Sequence, residues 1–437
     1  MTRFLVSALL VMGAVLFGPW VGIAGAQTVQ DTSQEPLKLT PSEAVELALT
    51  ESGAIRNARI DLSLAEQSDS NSWNRLLPDL SLSGGSSYSL AEEVENRLSL
   101  SNQLSARLTL SGSTLSEGER REQEVRASSL ALEREEWDLR RQVLLSYFSL
   151  VSQEASVELQ QQRVAAARSR LEQTRTRYEN GVVSEYELLE ARLSYQNTLP
   201  ELTGAEQRLG RAQREFKALL GVPESRKIEL VTEIPYLSLE SSASSLLNRH
   251  GAQAPSVRAA QLSRTAALLE ARSDRRALLP SLSASASVGY GGTEPFEEWR
   301  RNGSASLSLS LPLDPFVPGS EDDLAREASG RGIAQAESRL ETARKELATS
   351  LRNAVDEARA TAEQIEVVQE NAALADRVYE IAQRRFEAGA IEALELQNTE
   401  VERTRARVAV IEQRLSHVEA LIEVEYLLGV DLSNLPW

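Results

Sequence analysis

The sequence predicts a mainly α-helical protein with a smaller membrane β-sheet, built from two copies of one unit. Apolar residues recur every seven positions along helices that are too long for a globular core, and the same pattern returns 208 residues later. Short segments between the helices alternate apolar and polar residues. A sustained seven-residue repeat indicates packing along neighbouring helices, and the alternation is typical of outer-membrane strands.

The chain begins with the layout of a cleavable secretory signal. Arg3 precedes an apolar run over residues 4–16, and small residues follow the run. We expect the signal peptide to span 1–26, the mature chain to start at Gln27, and a linker to follow over 27–39. An uncleaved membrane anchor is the alternative, but glycines and a proline interrupt the run before the ~20 residues that a spanning helix needs.

The composition excludes several classes of function. The chain has 47 basic and 64 acidic residues, a net charge of -17, which argues against a nucleic-acid partner because phosphate binding needs a basic face. The absence of cysteine rules out disulfides, iron–sulfur clusters and thiol chemistry. No later segment is apolar for ~20 residues, so no spanning helix is expected in the mature chain.

The first repeat, residues 40–222, contains the longest predicted helix. Ser116 begins a capping-box pattern, and helical character then continues without a proline to Glu179. About 63 residues at 1.5 Å each extend ~94 Å. Two shorter helices, predicted over 55–77 and 185–220, together extend ~89 Å. We therefore expect one continuous helix to lie beside two stacked shorter ones.

The seven-residue grid also identifies the duplication. Successive apolar positions are seven residues apart, except for one pair that is four residues apart. Adding 208 to each position gives another apolar residue. The second repeat is predicted over 241–430, after a linker over 223–240 and before a C-terminal tail over 431–437. The grid positions are Val125, Leu132, Leu139, Val143, Leu150, Val157, Val164, Leu171 and Tyr178, then Ile333, Leu340, Leu347, Leu351, Ala358, Ile365, Ala372, Tyr379 and Phe386.

Each repeat also contains two predicted strands, at 80–90 and 97–111 in the first and at 282–290 and 304–311 in the second. Leucines and an alanine lie on one face of 97–111, with serine, glutamine, arginine and threonine on the other. An ordinary half-buried sheet shows the same alternation. Four strands cannot close a barrel and an open edge is unstable in lipid, so membrane-spanning strands require several chains. Two chains supply eight strands, and three supply twelve.

The order of these elements resembles the TolC-like outer membrane factors over nearly the whole mature chain. The resemblance rests on LTPSEAVELAL at 39–49, LLPDLSLSGG at 76–85, LLPSLSAS at 278–285, LSLPLDPF at 309–316 and two turns with glycine followed by Glu-Leu. It implies a homotrimer with a twelve-stranded barrel in the outer membrane, continuing into a long α-helical coiled-coil tunnel in the periplasm. The segment LTLSGSTLSEGER at 108–120 departs from the family pattern, so a locally different junction is expected there.

The resemblance implies the exit duct of a tripartite efflux pump or of a type I secretion system. The implied partners are two further copies of the chain, a periplasmic adaptor protein, an inner-membrane transporter and outer-membrane lipid; no cofactor or metal is implied. The alternative is a trimeric coiled-coil structural or adhesive surface protein with a membrane anchor. An enzyme is not expected, because His250 and His417 lie in separate contexts without a clustered carboxylate pattern.

Two helix reversals, at 180–184 and 388–392, are predicted to be the periplasmic ends of two helical hairpins. Gly181 and Gly389 supply the left-handed conformation that ends a helix. The resemblance implies that residues after each glycine contact hairpin tips of the adaptor; the alternative is that they only cap and pack the turn. These residues are Val182, Val183, Ala390 and Ile391.

The resemblance also implies an acidic constriction near the tips. Alignment of the turns places Glu395 and Asn398 on the acidic-ring positions of the family, with Glu187 and Glu190 on the facing hairpin. Glu187 has a simpler role as the acidic member of a capping box. The chain departs from the family at Ile391, where the family often carries a linking arginine.

Overall fold

The mainly helical fold with one membrane-type sheet is confirmed in a computed structural model of the chain. The structure describes residues 36–91, 94–232, 234, 239, 241–293 and 300–431. The predicted signal peptide lies outside these residues, as does the predicted C-terminal tail apart from Asp431.

No helix in the described ranges combines the length and the apolar character needed to cross a membrane.

The described residues form eight α-helices, six strands and two 3₁₀ turns. In chain order they are β1 (Leu37–Leu39), α1 (Pro41–Glu51), α2 (Gly53–Ser70), a first 3₁₀ turn (Ser72–Leu76), β2 (Asp79–Ala91), β3 (Val94–Leu110), α3 (Gly112–Glu179), α4 (Glu185–Leu219), β4 (Ile228–Leu230), α5 (Ala243–His250), α6 (Pro255–Ala277), β5 (Ser281–Thr293), β6 (Arg300–Ser310), a second 3₁₀ turn (Asp314–Phe316), α7 (Glu321–Glu387) and α8 (Ala393–Leu428).

Two helices run the length of the helical part. With 68 residues, α3 extends ~102 Å, and α7 is one residue shorter. On the side of the reversals α3 packs on α4 and α7 packs on α8; on the side of the strands α3 packs on α2 and α7 packs on α6. One continuous helix beside two stacked shorter ones is therefore the observed arrangement in both repeats.

The seven-residue grid lies on the packed face of both long helices. Of the eighteen predicted positions, only Tyr178 is exposed, at 40%, and the others are buried or half-buried. The contacts of α3 with α8 join the two helical hairpins, α3–α4 and α7–α8, within one chain. Within the described residues the helices therefore follow the order α4, α3, α8, α7 near the reversals.

The predicted start of the long helix at Ser116 was wrong. The helix begins at Gly112, and Ser111 caps it in an extended conformation, with its hydroxyl accepting from the Thr114 backbone N–H at 3.3 Å. The Ser116 hydroxyl instead donates to the Gly112 carbonyl oxygen at 3.3 Å. A serine inside a helix can bond the carbonyl four residues earlier, so the Ser-x-x-Glu pattern here did not mark a helix end.

The two repeats differ where the strands meet the long helices. In the first repeat β3 ends at Leu110 and α3 begins at Gly112, with Ser111 alone between them. In the second repeat ten residues separate Ser310 from Glu321, and they include a 3₁₀ turn and Gly319 with φ of 80°. The extra residues of the second repeat therefore lie at this junction, which explains why the offset changes between strands and helices.

The four long strands form one antiparallel sheet in the order β2-β3-β5-β6. Leu82, Leu104 and Val288 are in register on one face. On the other face serine hydroxyls pair across strands, at 2.6 Å between Ser81 and Ser105 and at 2.8 Å between Ser285 and Ser306. The strand alternation predicted from the sequence is therefore present, with an apolar face and a hydroxyl-rich face.

The main core lies where the two repeats meet, between the sheet and the reversals. Tyr147 of α3 is fully buried there, and its hydroxyl donates to the Leu39 carbonyl oxygen at 2.9 Å. This bond ties α3 to β1, which pairs in parallel with β4. The core fixes the ends of the hairpins that are distant from the reversals, so the reversals project from a rigid base.

Candidate functional site

The two hairpin tips have the same backbone geometry. Gly181 and Gly389 have φ values of 70° and 71°. In each tip the residue after the glycine donates a backbone hydrogen bond of 2.8 Å to a carbonyl five residues earlier, from Val182 to Arg177 and from Ala390 to Arg385. This is the pattern of a helix ended by a left-handed residue. The sequence prediction of both glycine turns is therefore confirmed.

The tips differ in what they expose. Val182 is 71% exposed and Val183 is half-buried. On the second tip Ala390 is exposed, but Ile391 packs against the buried Phe386 and its neighbours. The first tip therefore presents more apolar surface than the second.

Glu187 has the local role that the sequence suggested. The Ser184 hydroxyl accepts from the Glu187 backbone N–H at 3.3 Å and donates to the Glu187 carboxylate at 3.2 Å. Glu190 lies one turn further along α4 and is half-buried. In the described part of the chain, no hydrogen bond or ion pair joins either glutamate to the second hairpin.

Glu395 lies on the second hairpin close to an arginine. Its carboxylate is 3.9 Å from the Arg385 guanidinium of α7, and both side chains are more than half exposed. Such an exposed pair contributes little to stability. Asn398 is exposed on the following turn. The N-cap residue of α8, Glu392, makes no side-chain capping hydrogen bond within the described residues.

A buried ion pair joining the hairpins was not anticipated from the sequence. Arg170 of α3 donates to the carboxylate of Glu400 of α8, and each residue is only 6% exposed. Three polar atoms at this site are buried and have no hydrogen-bond partner among the described residues. They are the second guanidinium nitrogen of Arg170, the second carboxylate oxygen of Glu400 and the Thr174 hydroxyl. Removing either partner while the hairpins stay packed would leave the other charge buried and unpaired.

Further charges surround this pair on the second hairpin. Arg403 lies over the Tyr379 ring, 4.6 Å from its centroid, and also donates to Asp376 at 2.7 Å. Burial raises the pKa of the Tyr379 hydroxyl, and the negative charge of Glu400 adds to the effect. Burial opposes ionisation of Asp376, but hydrogen bonds from Arg403 and Arg407 outweigh it and lower the pKa of this carboxyl.

Arg177 connects the first hairpin to the end of α7. Its guanidinium donates to the carbonyl oxygens of Phe386 at 3.3 Å and Glu387 at 3.1 Å, and lies 5.0 Å from the Phe386 ring centroid. Carbonyls at a helix C-terminus lack helical partners and favour a cation. Arg177 therefore fixes the second tip relative to the first.

The sequence carried a signal for these arginines. Arg163, Arg170 and Arg177 recur at seven-residue spacing, each one position before a residue of the apolar grid. Their partners differ, because Arg163 pairs with Glu201 inside the first hairpin. The spacing therefore indicates that these arginines lie beside the packed face. It does not indicate which of them contacts the other hairpin.

The two histidines lie at separate places in the helical part of the structure. His417 is fully buried, and its Nδ1 donates to the Ala358 carbonyl oxygen at 3.0 Å between α8 and α7. His250 is half-buried at the end of α5. Among the described residues no three metal-binding side chains lie close enough together to hold a metal ion.

Comparison with known families gives one match that covers most of the chain. The family described as outer membrane efflux protein matches residues 44–222 and 246–430. The two matched segments correspond to the two predicted repeats. No match to a curated protein was found.

Several solved structures are similar in fold. The Campylobacter jejuni CmeC outer membrane channel is 17% identical, with a TM-score of 0.75 over 89% of this chain and 85% of that chain. The open state of the Neisseria gonorrhoeae MtrE outer membrane channel is 18% identical, with a TM-score of 0.73 over 89% of each chain. The Vibrio cholerae outer membrane protein VceC is 17% identical, with a TM-score of 0.71 over 89% of this chain and 96% of that chain.

Proposed function

Because the chain belongs to the outer membrane efflux protein family, we propose that it is the exit duct of a tripartite efflux pump or type I secretion system. It is a TolC-like protein of the outer membrane, with its helical tunnel in the periplasm. In the proposed role it passes substrates from an inner-membrane transporter through the periplasm to the outside.

One observation carries the proposal of a duct. The membrane-type sheet lies at one end of α3 and α7, and the two hairpin tips lie at the other end, ~100 Å away. The tips expose Val182 and Ala390 at their outermost positions, which suits contact with an adaptor protein. A membrane anchor at one end and a docking end at the other is the layout that a conduit across the periplasm needs.

Conductance in a planar lipid bilayer tests the duct against the alternative of a structural or adhesive trimer. We expect the purified protein to give discrete, ohmic channels. A coiled-coil stalk with a membrane anchor encloses no continuous water path and would give none. Absence of channels from correctly assembled protein would contradict the duct.

Exposed apolar stripes support a homotrimer. On α7, Val367, Leu374, Val378 and Ile381 are exposed and follow heptad-like spacing, and Tyr186, Leu189 and Leu193 do the same on α4. Within the described residues α4 and α7 are the outer members of the helix order, and the side chains of both stripes are exposed there. We propose that α4 of one chain packs against α7 of the next, and that three chains close the ring with twelve strands.

Cysteine cross-linking measures this prediction directly, because the natural sequence has no cysteine. Leu193 and Val378 lie at matching heights, about 12 Å and about 14 Å from the helix ends at the tip. We expect the Leu193→Cys/Val378→Cys variant to give a covalent trimer on oxidation. The matched control pairs Leu193→Cys with Val367→Cys, which lies about 30 Å from the tip and should not cross-link. A ladder that ends at two copies would contradict the trimer.

The tip glycines test adaptor docking. Replacing Gly389 with Pro is expected to reduce export at least about tenfold while trimer level stays normal, because Pro cannot adopt a positive φ and removes an N–H that bonds Phe386. Gly389→Asn is the matched control, since Asn tolerates the left-handed conformation. The same comparison applies at Gly181. Export of a reporter substrate and the amount of trimer are the two readouts, and unchanged export in Gly389→Pro would remove this tip from docking.

An acidic constriction at the tips is the remaining part of the proposal. Three copies of Glu395 close to one axis would attract cations, with Asn398, Glu187 and Glu190 nearby on the two hairpins. We expect Glu395→Gln to lower cation preference and to weaken block by a multivalent cation, without loss of trimer. Reversal potentials in a salt gradient measure this. The contact with Arg385 provides the control: Arg385→Gln should strengthen cation preference, and no change in either variant would place the constriction elsewhere.

A further inference from the structure

Three buried polar atoms lie close together where α3 of the first hairpin packs on α8 of the second. They are one guanidinium nitrogen of Arg170, one carboxylate oxygen of Glu400 and the Thr174 hydroxyl, and among the described residues none of them has a hydrogen-bond partner. Thr174 follows Arg170 by one helical turn, so both side chains lie on the same face of α3. The three residues are only 3–6% exposed, so bulk solvent does not reach these atoms.

The Thr174 hydroxyl does not make the bond that other threonines of these helices make. Thr176 donates to the Glu172 carbonyl oxygen at 3.1 Å, and Thr404 of α8 donates to the Glu400 carbonyl oxygen at 2.9 Å. In both cases the helix itself satisfies the hydroxyl, through the carbonyl four residues earlier. Within the described ranges Thr174 makes no such bond. Its hydroxyl is therefore available to a group outside the backbone of α3.

The charged side chains around this site are bonded to other partners. The second oxygen of the Glu400 carboxylate accepts from Arg170. Arg403 donates to Asp376 at 2.7 Å, and Arg407 donates to the same carboxylate oxygen at 3.0 Å. A buried polar atom without a partner is costly, and most such atoms in folded proteins bond either protein or ordered water. Three of them at one place therefore indicate a bound ligand.

The chemistry of the three atoms selects the ligand. The guanidinium nitrogen can only donate a hydrogen bond, the carboxylate oxygen can only accept one, and the hydroxyl can do either. A water molecule accepts from Arg170, donates to Glu400 and makes its third bond to Thr174, and three bonds are typical of a buried water. A chloride ion would be repelled by the Glu400 carboxylate and a sodium ion by the Arg170 guanidinium, so neither ion suits all three atoms.

We propose that one resident water molecule occupies this site and bridges Arg170, Thr174 and Glu400. The contact between α3 and α8 at this level is then an ion pair together with a water-mediated bridge, and the uncharged Thr174 takes part in it. This inference does not depend on the proposed role of the chain as a duct.

Replacing Thr174 with Val tests the proposal through the direction of a stability change. Valine has nearly the shape of threonine but lacks the hydroxyl. If water bonds the hydroxyl, Thr174→Val removes that bond, and we expect the midpoint of urea unfolding of the trimer to fall by roughly a few tenths of a molar. A hydroxyl without any partner predicts the opposite, because an apolar group would replace an unsatisfied polar one. An unchanged or higher midpoint would overturn the proposal.

Thr361→Val is the matched control. Thr361 of α7 is 3% exposed, as is Thr174, and its hydroxyl donates to the Glu357 carbonyl oxygen at 2.7 Å. Its bond is made directly to protein, so Thr361→Val should lower the midpoint whether or not water is bound beside Thr174. We expect the two variants to change the midpoint in the same direction.

A high-resolution crystal structure of the natural trimer gives a second measurement, which does not require the variants to fold. We expect one density peak within hydrogen-bond distance of the Arg170 nitrogen, the Glu400 oxygen and the Thr174 hydroxyl. Crystals grown with bromide in place of chloride distinguish water from a halide. An anomalous peak at the site would identify an anion, and side chains that bond one another directly with no density between them would exclude a ligand; either result contradicts the proposal.

Discussion

Replacing Arg170 with Ala is expected to destabilise the packing of the two helical hairpins by about 3–5 kcal/mol, the range found when one partner of a buried ion pair is removed. Glu400 is 6% exposed, and within the described ranges one of its oxygens already lacks a hydrogen-bond partner. Little solvent is therefore available to compensate the lost guanidinium. Urea unfolding of the trimer, followed by its helical circular dichroism, measures the change. We also expect a higher single-channel conductance, because Arg170 holds α3 against α8 near the tips.

Two further variants separate this effect from a general loss of charge. Arg163→Ala breaks a pair with Glu201 inside the first hairpin, where the Glu201 side chain is 48% exposed, and should cost less than about 1 kcal/mol. The double variant Arg170→Met/Glu400→Met should recover most of the stability, since apolar residues of similar length replace the whole pair. An Arg170→Ala variant no less stable than Arg163→Ala would show that the buried pair does not hold the hairpins together.

Gly112→Val is expected to lower the amount of assembled trimer in the outer membrane severalfold. A Cβ at residue 112 would lie 1.7 Å from the Arg276 carbonyl oxygen at the end of α6. The obstacle is backbone, so α3 and α6 must move apart, and overpacking of this kind costs about 1–3 kcal/mol or more. The movement would also disturb the contacts of Arg276 with Glu119 and Ser116. Trimer on a non-denaturing gel and urea unfolding are the measurements.

Gly330→Ala is the control for a helical glycine without a close neighbour. Residue 330 lies inside α7, and an added Cβ would meet nothing within 4 Å. Alanine is favoured over glycine inside a helix by roughly 0.5–1 kcal/mol, so this variant should be as stable as the natural protein or slightly more stable. Equal assembly of Gly112→Val and Gly330→Ala would contradict the close approach of α3 and α6.

The helical architecture was predictable because its signal is repeated many times. The seven-residue grid contains eighteen apolar positions, so one exposed member, Tyr178, does not obscure the pattern. The duplication doubled the information, since each glycine turn had a counterpart 208 residues away. The start of α3 was predicted from a single Ser-x-x-Glu pattern. That pattern lies inside the helix and not at its end, so the predicted start was wrong.

The contacts between hairpins were not predictable in the same way. Arg170 and Glu400 are 230 residues apart, and nothing in the sequence near either residue indicates that α3 packs on α8. Ile391 gives a second example, because the turn pattern placed it correctly but only the packing on Phe386 shows that it is half-buried. Local patterns specify helices and turns, whereas partner choice depends on how distant segments come together.

The pairing of β3 with β5 has a consequence for the time course of folding. Within each repeat the strands are close in sequence, and Ser81 meets Ser105 only 24 residues later. In contrast, Leu110 pairs with Leu282, 172 residues further along the chain. Loop closure over such a distance is slow, so contacts of this kind form late. The α3–α4 hairpin can assemble from local contacts as soon as it is exported, while the sheet must wait for β5 and β6 of the second repeat. Its outer strands must then wait for other chains.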